Sequence, residues 1–212
     1  MTSDGAGFRL NEVLIAAGQD PLDEQTASQF EVYLSLILRW NARLNLTSVR
    51  TEDAIIVRHL AESIACARAL PQGIATLLDF GSGAGVPGIP IALCRPGISV
   101  TLAESQGKKS AFLQEAARTL GIGVKVHAGR AETLADEFDC VVMRAVDKMP
   151  KAVMAGAQLV APSGWLALMT TNADVSVLRE GAGPGLAWRE TIRMPNGDDR
   201  ILALGRRMSS SA

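Results

Sequence analysis

A run of glycines directly after an apolar segment is the feature of this sequence best suited to holding a ligand. Gly81, Gly83 and Gly85 alternate with small residues. Glycine tolerates positive φ and lets a ligand approach the main chain. Pro87 and Pro90 follow and indicate the start of a helix, because proline fits where the backbone N–H has no intrahelical partner. In open α/β sheets this junction of strand, turn and helix borders the ligand crevice.

The register of the glycines bears on which nucleotide-like cofactor is bound. Residues 83–88 match the dinucleotide fingerprint GxGxxG, which is a weak signal by itself. The glycine nearest the predicted strand is Gly81, however, and the sixth position counted from it is Val86. The turn therefore departs from the dinucleotide pattern, although an NAD-dependent oxidoreductase that uses residues 83–88 stays an alternative.

Two acidic residues follow the next two predicted strands. The Glu104 carboxylate is placed to accept hydrogen bonds from both hydroxyls of a ribose, in NAD or in S-adenosylmethionine. The alternative is a surface glutamate that ends a strand. Residues 129–132 follow the third strand, where a polar or acidic residue can reach the amine or ring edge of an adenine. For that segment the alternative is a solvated loop.

Arg144 ends the fourth predicted strand. The carboxyl end of a strand faces the crevice, and the planar guanidinium suits a guanine edge or a carboxylate. No general acid–base group accompanies it, since His59 and His127 have no obvious partner nearby in the sequence. We interpret His59 as a packing or hydrogen-bonding residue of a helix.

Composition excludes several classes of protein. The 212-residue chain has a formal net charge of −1, without the basic excess common in nucleic-acid binders, although a local basic face is compatible with it. Its three cysteines form no CxxC or Cys/His cluster, which predicts neither a zinc site nor a disulfide framework. We see no secretory signal and no apolar run of membrane-spanning length. A cytoplasmic protein is expected.

The elements that must position these residues change in type near residue 71. Residues 8–70 predict three helices, with Gly18 ending the first, Asp20 and Pro21 beginning the second and Thr51 capping the third. Strands and helices then alternate, which predicts βαβ units around a mostly parallel sheet. The predicted strands are 76–80, 98–102, 124–127, 140–144 and 165–169, and the predicted helices are 88–94, 108–120 and 148–159.

The C-terminal part follows a different pattern. Two strand-like runs, 188–194 and 200–204, enclose Asn196 and Gly197. Asn-Gly between such runs predicts a hairpin. A parallel sheet that ends in an antiparallel hairpin strand is not the dinucleotide Rossmann pattern.

In order, these motifs resemble the bacterial ribosomal RNA small subunit methyltransferase G family, also called glucose-inhibited division protein B. The resemblance covers nearly the whole chain. It rests on Trp40-Asn41, residues 45–48, residues 57–60 with Ser63, residues 81–90, Gly107-Lys108-Lys109 with Phe112-Leu113, Ala131-Glu132 and Arg144-Ala145.

The resemblance implies a class I S-adenosylmethionine-dependent methyltransferase fold, Rossmann-like, over residues 72–207. A helical segment, 1–71, would pack on this core, and residues 208–212 would form a disordered tail. The implied reaction is methylation of guanine N7 in 16S rRNA near the decoding centre. The implied partner is 16S rRNA or the small ribosomal subunit, with neither a metal nor a membrane, and the protein is expected to be a monomer.

The resemblance also assigns residues to the cofactor. Gly81 and Val86 would line its methionine and ribose side, and Arg144 would lie near the reacting groups. Because guanine N7 attacks a methyl group without first losing a proton, no catalytic acid or base is expected, and Arg144 would act in positioning. The full expected set of cofactor-binding residues is Gly81, Gly83, Val86, Glu104, Ala131, Glu132 and Arg144.

Two positions depart from the family pattern. The acidic residue near the serine of the third helix is often Asp in the family, and here Glu62 precedes Ser63 and keeps the charge. After the fifth strand the family often has Lys-Gly, where this chain has Met169-Thr170-Thr171. The missing cation leaves open a non-catalytic ribosome-assembly factor that retains the fold.

Overall fold

The computed structural model describes residues 5–195, 197 and 199–208, and the regular secondary structure before residue 76 is entirely helical among them. α1 is Ala6–Ala16 and α2 is Glu24–Asn41. A third, continuous helical run consists of α3 (Glu52–Ile55), a π-helical segment (Ile56–Ala61) and α4 (Glu62–Ala69). Three helical stretches were expected here, but the π-helical segment was not.

The N-terminal caps follow from local hydrogen bonds. Thr51 caps α3 as predicted, because its hydroxyl accepts a hydrogen bond from the Ala54 N–H. The predicted start of α2 at Asp20 and Pro21 is wrong. Asp23 is the cap, since its carboxylate accepts from both the backbone N–H and the hydroxyl of Thr26, at 2.8 and 2.7 Å.

A mostly parallel sheet follows, as predicted, and it has eight strands among the described residues where seven were expected. Its order is β3-β2-β1-β4-β5-β8-β6, with β7 paired to β8. β1 to β5 run parallel, and β8 is antiparallel to β5. The strands are β1 (Thr76–Phe80), β2 (Ser99–Ala103), β3 (Lys125–His127), β4 (Phe138–Arg144), β5 (Val160–Thr171), β6 (Leu186–Trp188), β7 (Ile192–Arg193) and β8 (Arg200–Arg207).

Four α-helices and one 3₁₀ turn connect these strands. Pro87 caps α5, and Pro90 lies in its first turn. The helices are α5 (Gly88–Cys94), α6 (Gly107–Leu120), α7 (Met149–Gln158) and α8 (Val175–Gly181), and the 3₁₀ turn is Ala131–Thr133. The first three helices match the predicted ones closely, whereas α8 and the 3₁₀ turn were not predicted.

The C-terminal strands differ in detail from the predicted hairpin. The run 188–194 is divided between β6 and β7, and both pair with β8. Of the predicted turn, Asn196 lies outside the described residues, as do residues 209–212 of the predicted tail. The antiparallel end of the sheet is nevertheless present.

Alternating strand residues supply the two faces of the core. Leu77 and Val142 pack with the layer formed by α1, α2, α4, α5 and α6. Leu78 and Val141 point to the other face and pack with α7 and α8. The N-terminal helices therefore share one hydrophobic core with the sheet. No described helix has the length and apolar character needed to cross a bilayer.

Candidate cofactor and substrate site

The strand order creates a crevice at the end of β1. The chain passes from β1 to β2 and β3 on one side of the sheet, and then crosses to β4 on the other side of β1. Connections leave β1 and β4 in opposite directions, which opens a space above the carboxyl ends of parallel strands. The glycine turn begins at this point.

Two adjoining cavities occupy the crevice, with volumes of about 560 and 330 Å³. We name them after the parts of S-adenosylmethionine that the resemblance would place in them, the larger one the adenosine-side cavity and the smaller one the methyl-side cavity. Gly81, Glu104 and Val146 line both. All seven residues of the predicted set line one cavity or the other: Ala131 and Glu132 the adenosine-side cavity, Gly83, Val86 and Arg144 the methyl-side cavity, and Gly81 and Glu104 both.

The glycine turn has the register counted from Gly81. Gly81, Gly83 and Gly85 have φ of +75°, +57° and +83°, values that L side chains rarely adopt. The Gly81 N–H donates to the Ala103 carbonyl at 3.0 Å, which joins the turn to β2. A Cβ on Gly81 would lie 3.3 Å from both Cγ atoms of Val146. The gap between the turn and Val146 therefore depends on glycine.

Asp79, at the end of β1, stabilises the glycine turn by two hydrogen bonds, a role that was not predicted from the sequence. Its carboxylate accepts from the Gly88 N–H at 3.0 Å, and its carbonyl accepts from the Ser82 hydroxyl at 3.0 Å. The side chain is fully buried, and burial raises the pKa of Asp79 to about 7. An acidic residue inside an otherwise apolar strand was the available signal.

Glu104 is buried, with 6% of its surface exposed, so the alternative of a surface glutamate is wrong. Its two carboxylate oxygens accept from the backbone N–H groups of Gly83, at 2.9 Å, and Gln106, at 2.8 Å. A carboxylate has about four acceptor positions. Glu104 therefore stiffens the glycine turn and keeps acceptor capacity for a ligand in either cavity.

The segment after β3 lines the adenosine-side cavity together with Gly81. Ala131 is buried at the start of the 3₁₀ turn, and Glu132 is exposed beside it. His127 fixes the turn from β3, because its Nε2 lies 3.0 Å from the Thr133 hydroxyl and 3.2 Å from the Arg130 carbonyl. This segment is thus an ordered wall of the adenosine-side cavity, and not a loop open to solvent on all sides.

Arg144 is held by the N-terminal helices. One of its terminal nitrogens, Nη2, donates to Glu62 at 3.0 Å and to the Arg58 carbonyl. Glu62 is 2% exposed, and its second oxygen lies 3.5 Å from Nε of Arg200. Burial raises the pKa of Glu62, and the nearby guanidinium groups of Arg144, Arg200 and Arg58 oppose that shift. Two buried or half-buried arginines thus share one carboxylate.

The π-helical segment places a second polar group in the methyl-side cavity. His59 Nε2 lies 2.7 Å from the Thr47 hydroxyl, and both residues line the cavity. Burial and the Arg144 charge lower the pKa of His59 to about 4, so the ring is neutral at pH 7. Among the described residues, His59 Nδ1 and Arg144 Nη1 have no hydrogen-bond partner. Both atoms are buried, so a ligand in the cavity reaches them only if the side chains move.

A third cavity of about 400 Å³ adjoins the site on the β5 side, and we call it the β5-side cavity. Arg144 and Ala145 line it together with Met169 and Thr171. Thr171 pairs with Arg200 in the β5–β8 ladder, and Arg200 also lines the cavity. Met169-Thr170-Thr171 stand where the family often has Lys-Gly. Arg200 on β8 therefore supplies a cation next to that position.

No group of three or more His, Cys, Asp or Glu side chains able to hold a metal ion occurs among the described residues.

Solved structures of methyltransferases share this fold. A methyltransferase from Pyrococcus furiosus superposes with a TM-score of 0.60 at 14% identity, covering 85% of this chain and 97% of that chain. A mitomycin 7-O-methyltransferase superposes with a TM-score of 0.60 at 19% identity, covering 69% of this chain and 53% of that chain. At these identities the likeness shows the fold alone.

Sequence comparison is more specific. Ribosomal RNA small subunit methyltransferase G of Stenotrophomonas maltophilia strain K279a is 42% identical over 151 residues, 70% of each chain. The protein of the same name from Neisseria meningitidis serogroup A is 39% identical over 165 residues, 76% of this chain and 78% of that one. The family model described as rRNA small subunit methyltransferase G matches residues 26–180. The chain therefore belongs to the ribosomal RNA small subunit methyltransferase G family.

Proposed function

We propose that this protein transfers the methyl group of S-adenosylmethionine to N7 of a guanine in 16S rRNA, near the decoding centre. The observation that carries the proposal is the convergence of all seven expected residues on two adjoining cavities at the end of β1, in a member of this family.

The cavities fit the proposed cofactor. The adenosine-side cavity has the Ala131 turn at one wall for the adenine, and Glu104 has acceptor capacity for the ribose hydroxyls. The bare backbone at Gly81 gives the methionine part room to pass between the turn and Val146. When bound, S-adenosylmethionine supplies a methyl group on a positively charged sulfur.

The methyl-side cavity fits the target base. His59 is neutral, and its Nδ1 and Arg144 Nη1 are buried without a hydrogen-bond partner among the described residues, so a movement of either side chain would present a polar group to a guanine edge. Arg144 Nη1 is equally suited to a carboxylate of the cofactor. The target guanine must leave its stack to enter such a pocket. These groups orient the base and exclude water.

The reaction needs no proton transfer. The in-plane lone pair of guanine N7 forms the new N–C bond, the C–S bond breaks, and its electron pair stays on sulfur. The positive charge moves from sulfur to the purine, so the number of protons does not change. Catalysis then depends on holding N7, the methyl carbon and sulfur in line, and such orientation contributes at best about 7–11 kcal/mol.

The two alternatives lose their support. Membership of a methyltransferase family and the register of the turn from Gly81 contradict an NAD-dependent oxidoreductase. The assembly-factor alternative rested on a missing cation, and Arg200 lies at that cavity.

Transfer of labelled methyl groups tests the proposal. Free 16S rRNA, 30S subunits and 70S ribosomes from a strain that lacks this gene are incubated with the protein, and the modified base is mapped by cleavage specific for N7-methylguanine. We expect incorporation at one guanine of 16S rRNA. Incorporation at another atom or in another RNA, or none in all three substrates, would contradict the proposal.

A further inference from the structure

The β5-side cavity is not used by the cofactor or the target base in the proposed reaction. We propose that it holds the base of an unpaired nucleotide next to the target guanine in the same rRNA strand. This inference rests on the proposed function and names a second contact of the same substrate.

Position is the first argument. The methyl-side cavity lies above the ends of β1 and β4, and the β5-side cavity lies above the ends of β4 and β5. Neighbouring strands are about 5 Å apart, a distance comparable to the step between successive bases of an extended RNA strand. Arg144 and Ala145 line both cavities and form the wall between them. A strand that places guanine in one cavity therefore brings its neighbour to the other.

The lining is the second argument. Met149 and Pro150, at the start of α7, and Met169, Val177 and Leu178 form an apolar surface. A volume of about 400 Å³ lies within the range of small-molecule pockets. RNA-binding proteins hold unstacked bases against such surfaces or against a guanidinium plane. The cavity suits the flat face of a nucleobase better than a peptide backbone, which requires paired donors and acceptors.

Charge is the third argument. The Arg200 side chain is 28% exposed at this cavity, and Arg144, 8% exposed, has an Nη1 without a partner among the described residues. These two arginines share the Glu62 carboxylate. Asp174 also lines the cavity, at the exposed cap of α8, and accepts from the Thr171 hydroxyl at 2.7 Å, so the two carboxylates balance the two arginines in formal charge. The Arg200 guanidinium is the more exposed of the two cations and is suited to the phosphate that links the two nucleotides.

Substitutions at Val177 test the proposal. This side chain is 57% exposed on α8 and lines the cavity, so a polar residue there is compatible with folding. We expect Val177→Glu to raise the KM for small subunits at least about fivefold, since one stacked base contributes about 1–3 kcal/mol. Val177→Lys should lower that KM. Val32→Glu, at another half-exposed helical position away from the crevice, is the matched control.

Three readouts separate the possible outcomes. Calorimetry should give the same S-adenosylmethionine affinity for all variants. A photo-crosslinker, p-benzoylphenylalanine, at position 177 should crosslink to 16S rRNA within one nucleotide of the methylated guanine. An unchanged KM for Val177→Glu, or a crosslink to a ribosomal protein or a distant RNA helix, would overturn the subsite. If the unsubstituted protein methylates no guanine N7 at all, it is the proposed function that fails.

Discussion

The buried pair of Glu62 and Arg144 allows a double-mutant cycle with a worked magnitude. The two side chains are 2% and 6% exposed and are joined by a 3.0 Å hydrogen bond. Removing one partner of a buried pair costs about 3–5 kcal/mol, because the other charge is left without compensation. The two single substitutions are not equivalent here, since Glu62 also contacts Arg200.

We expect Arg144→Met to lower the free energy of unfolding by about 3 kcal/mol, because Arg200 still faces the carboxylate. Glu62→Gln should cost about 5 kcal/mol, because it leaves two arginines facing each other. The double variant should lose less than the sum of the single losses, by at least about 2 kcal/mol. Urea unfolding followed by circular dichroism measures all three.

Arg39→Met is the control, since Arg39 pairs with Glu115 at the surface, where its side chain is 58% exposed. Such surface pairs contribute about 0–1 kcal/mol. A loss for Glu62→Gln no larger than that for Arg39→Met, or two single losses that simply add, would show that the buried pair is not coupled. Methyl transfer by Arg144→Met, measured where the variant is folded, should fall even when cofactor is saturating.

Three further predictions concern the cavity walls. Gly81→Val should abolish cofactor binding in calorimetry, because a branched side chain is strained at φ +75° and meets Val146; unchanged affinity would contradict the assignment of the turn. The pKa of His59 is about 4 in the folded protein, compared with an ordinary value of 6.5. Because the unfolded state therefore binds the proton at a higher pH than the folded state, about 3 kcal/mol of stability should be lost as pH falls from 6.5 to 4. His59→Asn should flatten this dependence in urea titrations, and an identical slope would refute it. The pH dependence that Asp79 gives to stability has the opposite sign. Burial, and to a smaller extent the Glu104 charge, raise the pKa of Asp79 to about 7, while the Arg144 charge opposes the shift. At most about 4 kcal/mol of stability is therefore lost as pH rises from 4 to 7. Asp79→Asn keeps an acceptor for Gly88, and its stability relative to the unsubstituted protein should increase across that range; a constant difference would contradict the buried carboxylate.

Local patterns were sufficient for the parallel sheet and for one side of the crevice. Each strand of the parallel part ends in a short polar or glycine-rich stretch, and the topology of such sheets brings those ends together. Gly81 and Glu104 could therefore be placed near each other from their positions in the sequence. The register of the glycines also followed from counting back to the strand.

Contacts between distant residues could not be predicted in this way. Glu62 and Arg144 are 82 positions apart, and nothing local indicates that an acid on a helix meets the end of β4. His59 was interpreted from its helix alone, whereas its pKa depends on burial against the crevice. Helix α8 was missed because a seven-residue helix with two valines has weak propensity, and its packing against α7 stabilises it.

The π-helical segment at Ile56–Ala61 has a consequence for how this chain tolerates insertions and deletions. A π turn is one residue wider than an α turn, and such turns occur often at functional sites. Here the segment directs the Arg58 carbonyl to Arg144 and the His59 ring into the crevice. Deleting one residue would restore a regular α-helix but rotate everything before it by about 100° relative to α4. The shortened chain would have a more regular helix, but the Arg58 carbonyl and the His59 ring would no longer both reach the crevice, so the extra residue contributes to the site and not to the stability of the helix.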